Sequence, residues 1–419
     1  MKIYDYLNKF LIIYSFCFYD LLLNPFNLGF LHLLDDAIVI LLFIVFLINY
    51  KKINRIIFVV YLLIIFMLFS MLINSSPILN FIYSLRHLMY IVVIFFLLKF
   101  VDTTYRIPYL KLIHRLIIIN GIIGILQFLF YRQTGDAIVG LQKNGTANYT
   151  GYLYILSVFI LFTFYNFNGY QLNKKKIIYN SVFAFILIIL SDAKASLIFF
   201  IISVLLALII ILRKYIKFKH ILYSLVLLLI FMSFPYTKLG LLDPFEQVTY
   251  ELTHVSFTEV GAVARVQGLV YSYLLMLQQP FYVWFFGLGP GTYTSDAGFF
   301  FQAPLAMQER NFFEAIMVNW LKDSGMTPVT TIGLVTIWVE LGIIGVTLHL
   351  LLFFSIYRSI KNVNNNILFI FLSMVSIFMM IFSTINGNSW TYQGFLIPFI
   401  YYLFILYYNL SDSITLSYN

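Results

Sequence analysis

The chain has 419 residues, 62% hydrophobic and only 10% charged, a balance that no single water-soluble core of this length can accommodate. Its apolar runs, at roughly 16 to 24 residues each, suit helices that cross a bilayer and exclude a transmembrane barrel, whose strands are shorter and alternate. The net charge of +9 sits in short links between those runs, with no basic stretch interleaved with aromatics on a water-facing domain, so nucleic acid is not an expected partner.

Hydropathy predicts an all-α polytopic membrane protein with about twelve transmembrane helices, centred near residues 15, 41, 65, 89, 122, 158, 184, 204, 228, 342, 377 and 401. The opening MKIYDYLNK leads into the first of these rather than into a signal peptide, because no small-residue cleavage site follows and Asp20 interrupts the run. Cys17, the single cysteine, can form no intrachain disulfide.

The links KKINR (51–55), KFVDTTYRIPYLKLIHR (99–115), NKKK (173–176), RKYIKFKH (213–220) and YRSIK (357–361), together with Lys2 and Lys9, hold most of the 26 Lys and Arg residues. All of them fall on one side if twelve spans alternate. The positive-inside rule makes that side, and both termini, cytoplasmic. The expected organisation is therefore transmembrane helices 1–9 over 1–236, one long extracytoplasmic segment over 237–329, and transmembrane helices 10–12 over 330–419.

Within the outer segment, GAVARVQGLVYSYLLMLQQP (261–280) places Val263, Val266, Val270, Tyr273 and Leu277 on one helical face and Arg265, Gly268, Ser272 and Gln279 on the other. That predicts an amphipathic helix on the outer leaflet, ended by Pro280, with Arg265 at headgroup height. The loop FFGLGPGTYTSD (285–296) follows. It lacks the Lys-Ser/Thr of a P-loop and the spacing of a dinucleotide fingerprint, and it faces away from cytoplasmic ATP. Two readings of Gly287, Gly289 and Gly291 stand side by side: a backbone N–H cradle for an anion, or a tight turn that returns the chain to the membrane.

Three outward-side cations lie in or beside apolar runs. Arg86, in FIYSLRHLMYIVVIFFLL, is expected about two turns inside a span, roughly 10 Å deep by helical rise, with Tyr83 and Tyr90 on its face. Lys194, in ILSDAKASLIFF, sits at a short outward hairpin beside Asp192, where taken alone it reads first as a local ion pair, and Arg265 heads the amphipathic helix, as a phosphate ligand or an ordinary rim charge. Converging at one leaflet, such groups suit the oxygens of a lipid-linked phosphate or pyrophosphate.

The 6 histidines, His32, His87, His114, His220, His254 and His349, show no HxxxH or HExxH spacing, there is no Cys pair, and no DxD lies in an outward loop. No metal site and no cofactor are expected. General-base candidates on the outer side are Glu251, His254, Glu259, Asp296, Glu309 and Glu314. His254 and Glu259 are preferred for their nearness to the start of the Arg265 helix. Glu340, within IWVELGIIG, is intramembrane and expected to make an interhelical hydrogen bond at a small-residue contact.

In the order of these features the chain resembles the bacterial O-antigen polymerase and O-antigen ligase superfamily. The likeness covers the architecture, with local pattern over about 186–350: Arg265 leading to Gly287, Gly289 and Gly291, then Tyr293, then VELGIIG (339–345). SDAKAS (191–196) stands where the family often has Ser-Arg and small residues, and Arg86 where it often has an arginine at the outer end of an early span. Thr331 occupies the place of the histidine that ligases carry before the glycine matching Gly342, which favours the polymerase over the ligase.

The resemblance implies a metal-independent glycosyltransferase of the bacterial cytoplasmic (inner) membrane. Its substrates would be oligosaccharide repeats on undecaprenyl pyrophosphate, of O-antigen or capsule type, with a chain-length regulator and a flippase as partners. Arg86, Lys194 and Arg265 would hold the donor pyrophosphate, with His254 or Glu259 as base. The alternatives are a ligase transferring glycan to lipid A core and a flippase of the same lipid-linked sugar. The second lacks the paired halves and midplane charges expected of transporters.

Overall fold

The computed structural model describes residues 2–17, 34–49, 54–101, 103–131, 140–141, 147–166, 174–191, 193–212, 264–316, 333–363, 366–386 and 393–416. Among them the chain is helical, with no strand. The helices are α1 (Lys2–Cys17), α2 (Leu34–Asn49), α3 (Arg55–Ile73), α4 (Ile78–Ser84), α5 (Arg86–Lys99), α6 (Thr103–Tyr131), α7 (Ala147–Asn166) and α8 (Lys174–Leu190). They continue with α9 (Lys194–Leu212), α10 (Ala264–Leu277), α11 (Phe281–Phe286), α12 (Asp296–Phe300), α13 (Pro304–Ile316), α14 (Gly333–Val363), α15 (Ile367–Asn386) and α16 (Gln393–Leu416).

Among the described residues, four helical stretches, Arg55–Ile73, Arg106–Phe130, Gly333–Val363 and Ile367–Thr384, are long and apolar enough to cross a membrane. A fifth results if α4 and α5, bent by 42° at Leu85, form one span. These helices support the all-helical, membrane-spanning class; the count of twelve reaches beyond the described residues. Each expected centre except that near residue 228 lies on a described helix, but Asp36–Ile48, Tyr149–Phe164, Ala195–Ile211 and Phe395–Tyr408 are apolar stretches of 10–17 residues. The span near 228, and most of the expected outer segment before Ala264, lie outside the described residues.

Two helices form the centre. Every residue of α5 from His87 to Leu98 is buried, as is every residue of α16 from Phe395 to Leu406. A helix apolar around its whole circumference has no face for water and must be enclosed by others. The two pack together, with the Phe95 and Phe404 rings edge to face at 5.2 Å and the Tyr408 hydroxyl donating to Phe95 O at 3.0 Å. The outer helices keep large apolar residues exposed: Ile65 is 61% exposed on α3, and Ile178 59% on α8. A surface of that kind fits hydrocarbon rather than water.

The Arg265 segment is helical as expected, over Ala264–Leu277, and Pro280 then caps the short α11. α11 packs along α14, α12 against α4, and α10 against α14. These contacts gather the glycine loop, the bent pair and the kinked α14 at one place.

Candidate functional site

The glycine loop is clamped into a kink. α14 breaks its helical geometry at Gly342, where φ is 66° and ψ −172°. At that break the carbonyls of Val339 and Glu340 accept from the N–H of Leu288 at 2.8 Å and of Gly289 at 2.9 Å. The Glu340 carboxylate takes two more loop donors, Gly291 N–H on Oε2 at 2.8 Å and Tyr293 N–H on Oε1 at 3.0 Å. Gly287 and Gly342 face each other across this junction, both with positive φ. A Cβ on Gly287 would run into the Glu340 carbonyl, and one on Gly342 into Phe285 O. Only glycine meets both demands.

The loop's carbonyls are satisfied from the other side. Ser70 Oγ donates to Phe286 O at 2.7 Å and Asn80 Nδ2 to Gly291 O at 2.6 Å. Ser76 Oγ reaches Leu288 O at 3.4 Å. Tyr293 OH meets Ser272 Oγ at 2.8 Å, and Thr294 meets Thr336 at 2.9 Å. Burial and the neighbouring Glu309 carboxylate push the Tyr293 phenol well above its ordinary range. Glu309 is fully buried on α13. The loop therefore joins α3, α4, α10 and α14. Of the two sequence readings, this geometry is that of a structural turn: the N–H groups of Gly287, Gly289 and Gly291 donate to Val283 O, Glu340 O and Glu340 Oε2.

Arg86 is the first residue of α5, at the bend. Its Nη1 donates to Tyr83 OH at 2.8 Å and to Asp36 Oδ2 at 3.3 Å, and its guanidinium lies 5.1 Å from the Tyr83 ring centre. Tyr90 OH donates to Asp36 Oδ1 at 3.2 Å. The side chains of Arg86 and Asp36 are 13% and 10% exposed. Both line a cavity of about 280 Å³ whose other walls include Val39, Leu79, Ile82 and Phe301. Tyr83 stacks on Phe300 at 5.1 Å and meets Phe301 edge-on. The Arg86 cluster thus connects to the glycine loop twice, through Tyr83 to α12 and through Asn80 to Gly291. The face shared by Arg86, Tyr83 and Tyr90 in the sequence is present, with Asp36 at its centre.

The other expected site residues are placed less closely. Arg265 lies in the first turn of α10, seven residues before Ser272 and so about 10 Å along the axis from the Tyr293 contact; its side chain is outside the described residues. Lys194 starts α9, which packs on α15, α7 and α8; its side chain, like Asp192, is outside them too. His254 and Glu259 also lie outside the described residues. The helices that carry Arg86 and Arg265 both reach the glycine-loop junction, the latter through Ser272, whereas the main packing partners of Lys194's helix lie elsewhere.

Sequence reasoning missed three features. Asp36 opens an apolar run in LLDDAIV, a carboxylate where hydropathy alone argues against one. Asn80 ties α4 to the loop across 211 residues. His87 and His349, buried on α5 and α14, bring their Nε2 atoms to 3.4 Å across 262 residues, with His349 Nδ1 at 2.8 Å from Gly345 O. No local spacing could reveal that pair. Among the described residues no three His, Cys, Asp or Glu side chains converge as a metal site. What remains is an arginine and a carboxylate in an apolar cavity, an arrangement suited to an amphiphile with an anionic head. Neither the protein-family models nor the curated proteins compared with this sequence match it.

Proposed function

We propose that the protein polymerises oligosaccharide repeat units carried on undecaprenyl pyrophosphate, of O-antigen or capsule type, on the outer face of the bacterial cytoplasmic membrane, with both termini cytoplasmic. The growing glycan is the donor and a single lipid-linked repeat the acceptor. The observation that carries the reading is Arg86, set at the break of a bent apolar span, lining an apolar cavity and joined to the glycine-loop junction.

An arginine there meets the head of a polyprenyl diphosphate while the cavity walls meet its first isoprene units. In the transfer, the acceptor hydroxyl oxygen bonds to the donor's anomeric carbon as the bond from that carbon to the diphosphate oxygen breaks. The diphosphate leaves with the electron pair, and the hydroxyl proton passes to an outer-side base, for which His254 and Glu259 remain the candidates. Arg86, with Arg265 and Lys194, stabilises the charge that develops on the leaving group. The glycine loop holds the arginine-bearing helices in register rather than binding the phosphates with its own amides.

The test is the glycan profile of a strain lacking the gene. A polymerase leaves single repeats on the final acceptor, a ligase leaves none attached, and a flippase leaves the lipid-linked repeat on the cytoplasmic side. Arg86→Ala and Arg265→Ala in the complemented strain should abolish chain growth while the protein still inserts. Polymer of normal length from both would reject the assignment.

A further inference from the structure

Arg86 already has an anion. Asp36 lies 3.3 Å from its Nη1, on a different helix and 50 residues earlier. Its second oxygen is held by Tyr90 at 3.2 Å. The pair is largely withdrawn from solvent, and its two members line the same cavity, whose remaining wall is almost wholly apolar. A cation placed there without a counter-ion would be costly, and Asp36 supplies that counter-ion. The same carboxylate sits where an incoming headgroup would have to sit.

We infer that Asp36 is a built-in competitor: it holds Arg86 and is displaced when an anionic headgroup enters the cavity. This rests on the reading of Arg86 as a headgroup ligand and adds the element that sets its affinity. Geometry supports displacement over a permanent strut. The Nη1–Oδ2 distance of 3.3 Å is longer than the charge-assisted bonds of a tight fork-to-fork pair. Arg86 keeps the Tyr83 hydroxyl and ring when Asp36 moves, and Asp36 keeps Tyr90. Each partner therefore has a second hold. Among the described residues, the ionisable groups beside the pair include Tyr83 on α4 and His87 and Tyr90 on α5.

The competitor also filters ligands. A neutral lipid gains nothing by meeting Arg86, since it offers no charge to replace the carboxylate, whereas a diphosphate ester offers more charge than Asp36 does. Asp36 thus raises the threshold for entry and leaves the site closed to uncharged lipids that share the same apolar tail.

The experiment measures binding of farnesyl diphosphate to the purified full chain in detergent, with inorganic pyrophosphate and farnesol as parallel probes. Asp36→Asn, similar in shape and still able to meet Tyr90, should bind farnesyl diphosphate more tightly, by roughly threefold to tenfold. It should leave farnesol binding unchanged. Arg86→Gln should lose diphosphate binding, and Asp36→Asn added to Arg86→Gln should restore none of it. Pyrophosphate should bind more weakly than the farnesyl ester if the cavity walls contribute; equal affinity would place the ligand's tail elsewhere and overturn the displacement geometry.

The failures are separable. If Arg86→Gln binds like the unmodified chain, the headgroup reading itself is wrong. If Arg86→Gln loses binding while Asp36→Asn leaves it unchanged or weaker, Arg86 is a ligand and the competitor role is rejected. Asp36→Leu serves as a second variant. Should neither Asp36 variant be recovered folded, the pair is a permanent strut and the inference falls, because a contact that opens for every ligand cannot be indispensable to folding.

Discussion

The carboxylate of Glu340 takes the backbone N–H of Gly291 at 2.8 Å, across 49 residues of chain. A second bond, from Tyr293 N–H to the other oxygen at 3.0 Å, makes the grip bidentate. A side chain in a kinked membrane-length helix thereby fixes the glycine loop, and through that loop the bent pair that carries Arg86.

Removing one of those acceptors should loosen the junction. Glu340→Gln presents an amide NH2 to a backbone N–H and loses one of the two bonds, leaving a buried donor unsatisfied at a cost of about 1 to 3 kcal/mol. The expected outcome is a lower midpoint of thermal unfolding in detergent with helix content intact by circular dichroism. An unchanged midpoint would mean that the loop does not depend on this carboxylate.

Gly287→Ala and Gly342→Ala should be more damaging. Each puts a side chain at a positive φ, itself a penalty of about 1 to 2 kcal/mol. Each also drives a Cβ into the backbone of the other segment. Both variants should be recovered in low yield or as aggregates by size-exclusion chromatography, even in strains where the unmodified chain accumulates.

The Tyr293–Ser272 contact couples the loop to the Arg265 helix. Tyr293→Phe and Ser272→Ala should each destabilise by about 1 kcal/mol, and the double variant by less than their sum. A complete cycle measured by thermal unfolding gives the coupling. Strict additivity would show that the two hydroxyls do not act together.

Arg86→Lys distinguishes charge from geometry. Lysine keeps the cation but loses the planar fork that addresses two oxygens at once. On the proposed function, polymer should shorten markedly without vanishing, and Arg86→Ala should leave single repeats, read as ladders on a gel of extracted glycan. Equal ladders for lysine and arginine would mean that a point charge suffices.

Much of the scaffold was legible in the sequence. Long apolar runs predicted helices, and every expected centre within the described residues falls on one; Pro280 ended the Arg265 helix where turn chemistry placed it. The acid and glycines of VELGIIG stood out as unusual for a membrane helix, and Tyr83 and Tyr90 were placed beside Arg86. What the loop's glycines are for was not legible. GLGPG reads equally as an anion cradle or a turn, because the partners of its N–H groups lie on a helix some fifty residues further along.

Composition and local periodicity alone determined that this chain is helical and built of apolar segments, since an unpaired backbone in hydrocarbon leaves few other solutions. They also marked Arg86 as anomalous, because burying a cation is expensive wherever it occurs. Only the tertiary structure decided which anion meets that cation, which carbonyls and carboxylate receive the loop, and that two histidines 262 residues apart touch. Burial energies depend on residue type and can be read position by position; a hydrogen bond or an ion pair depends on where two distant groups end up, and that is settled only when the helices pack.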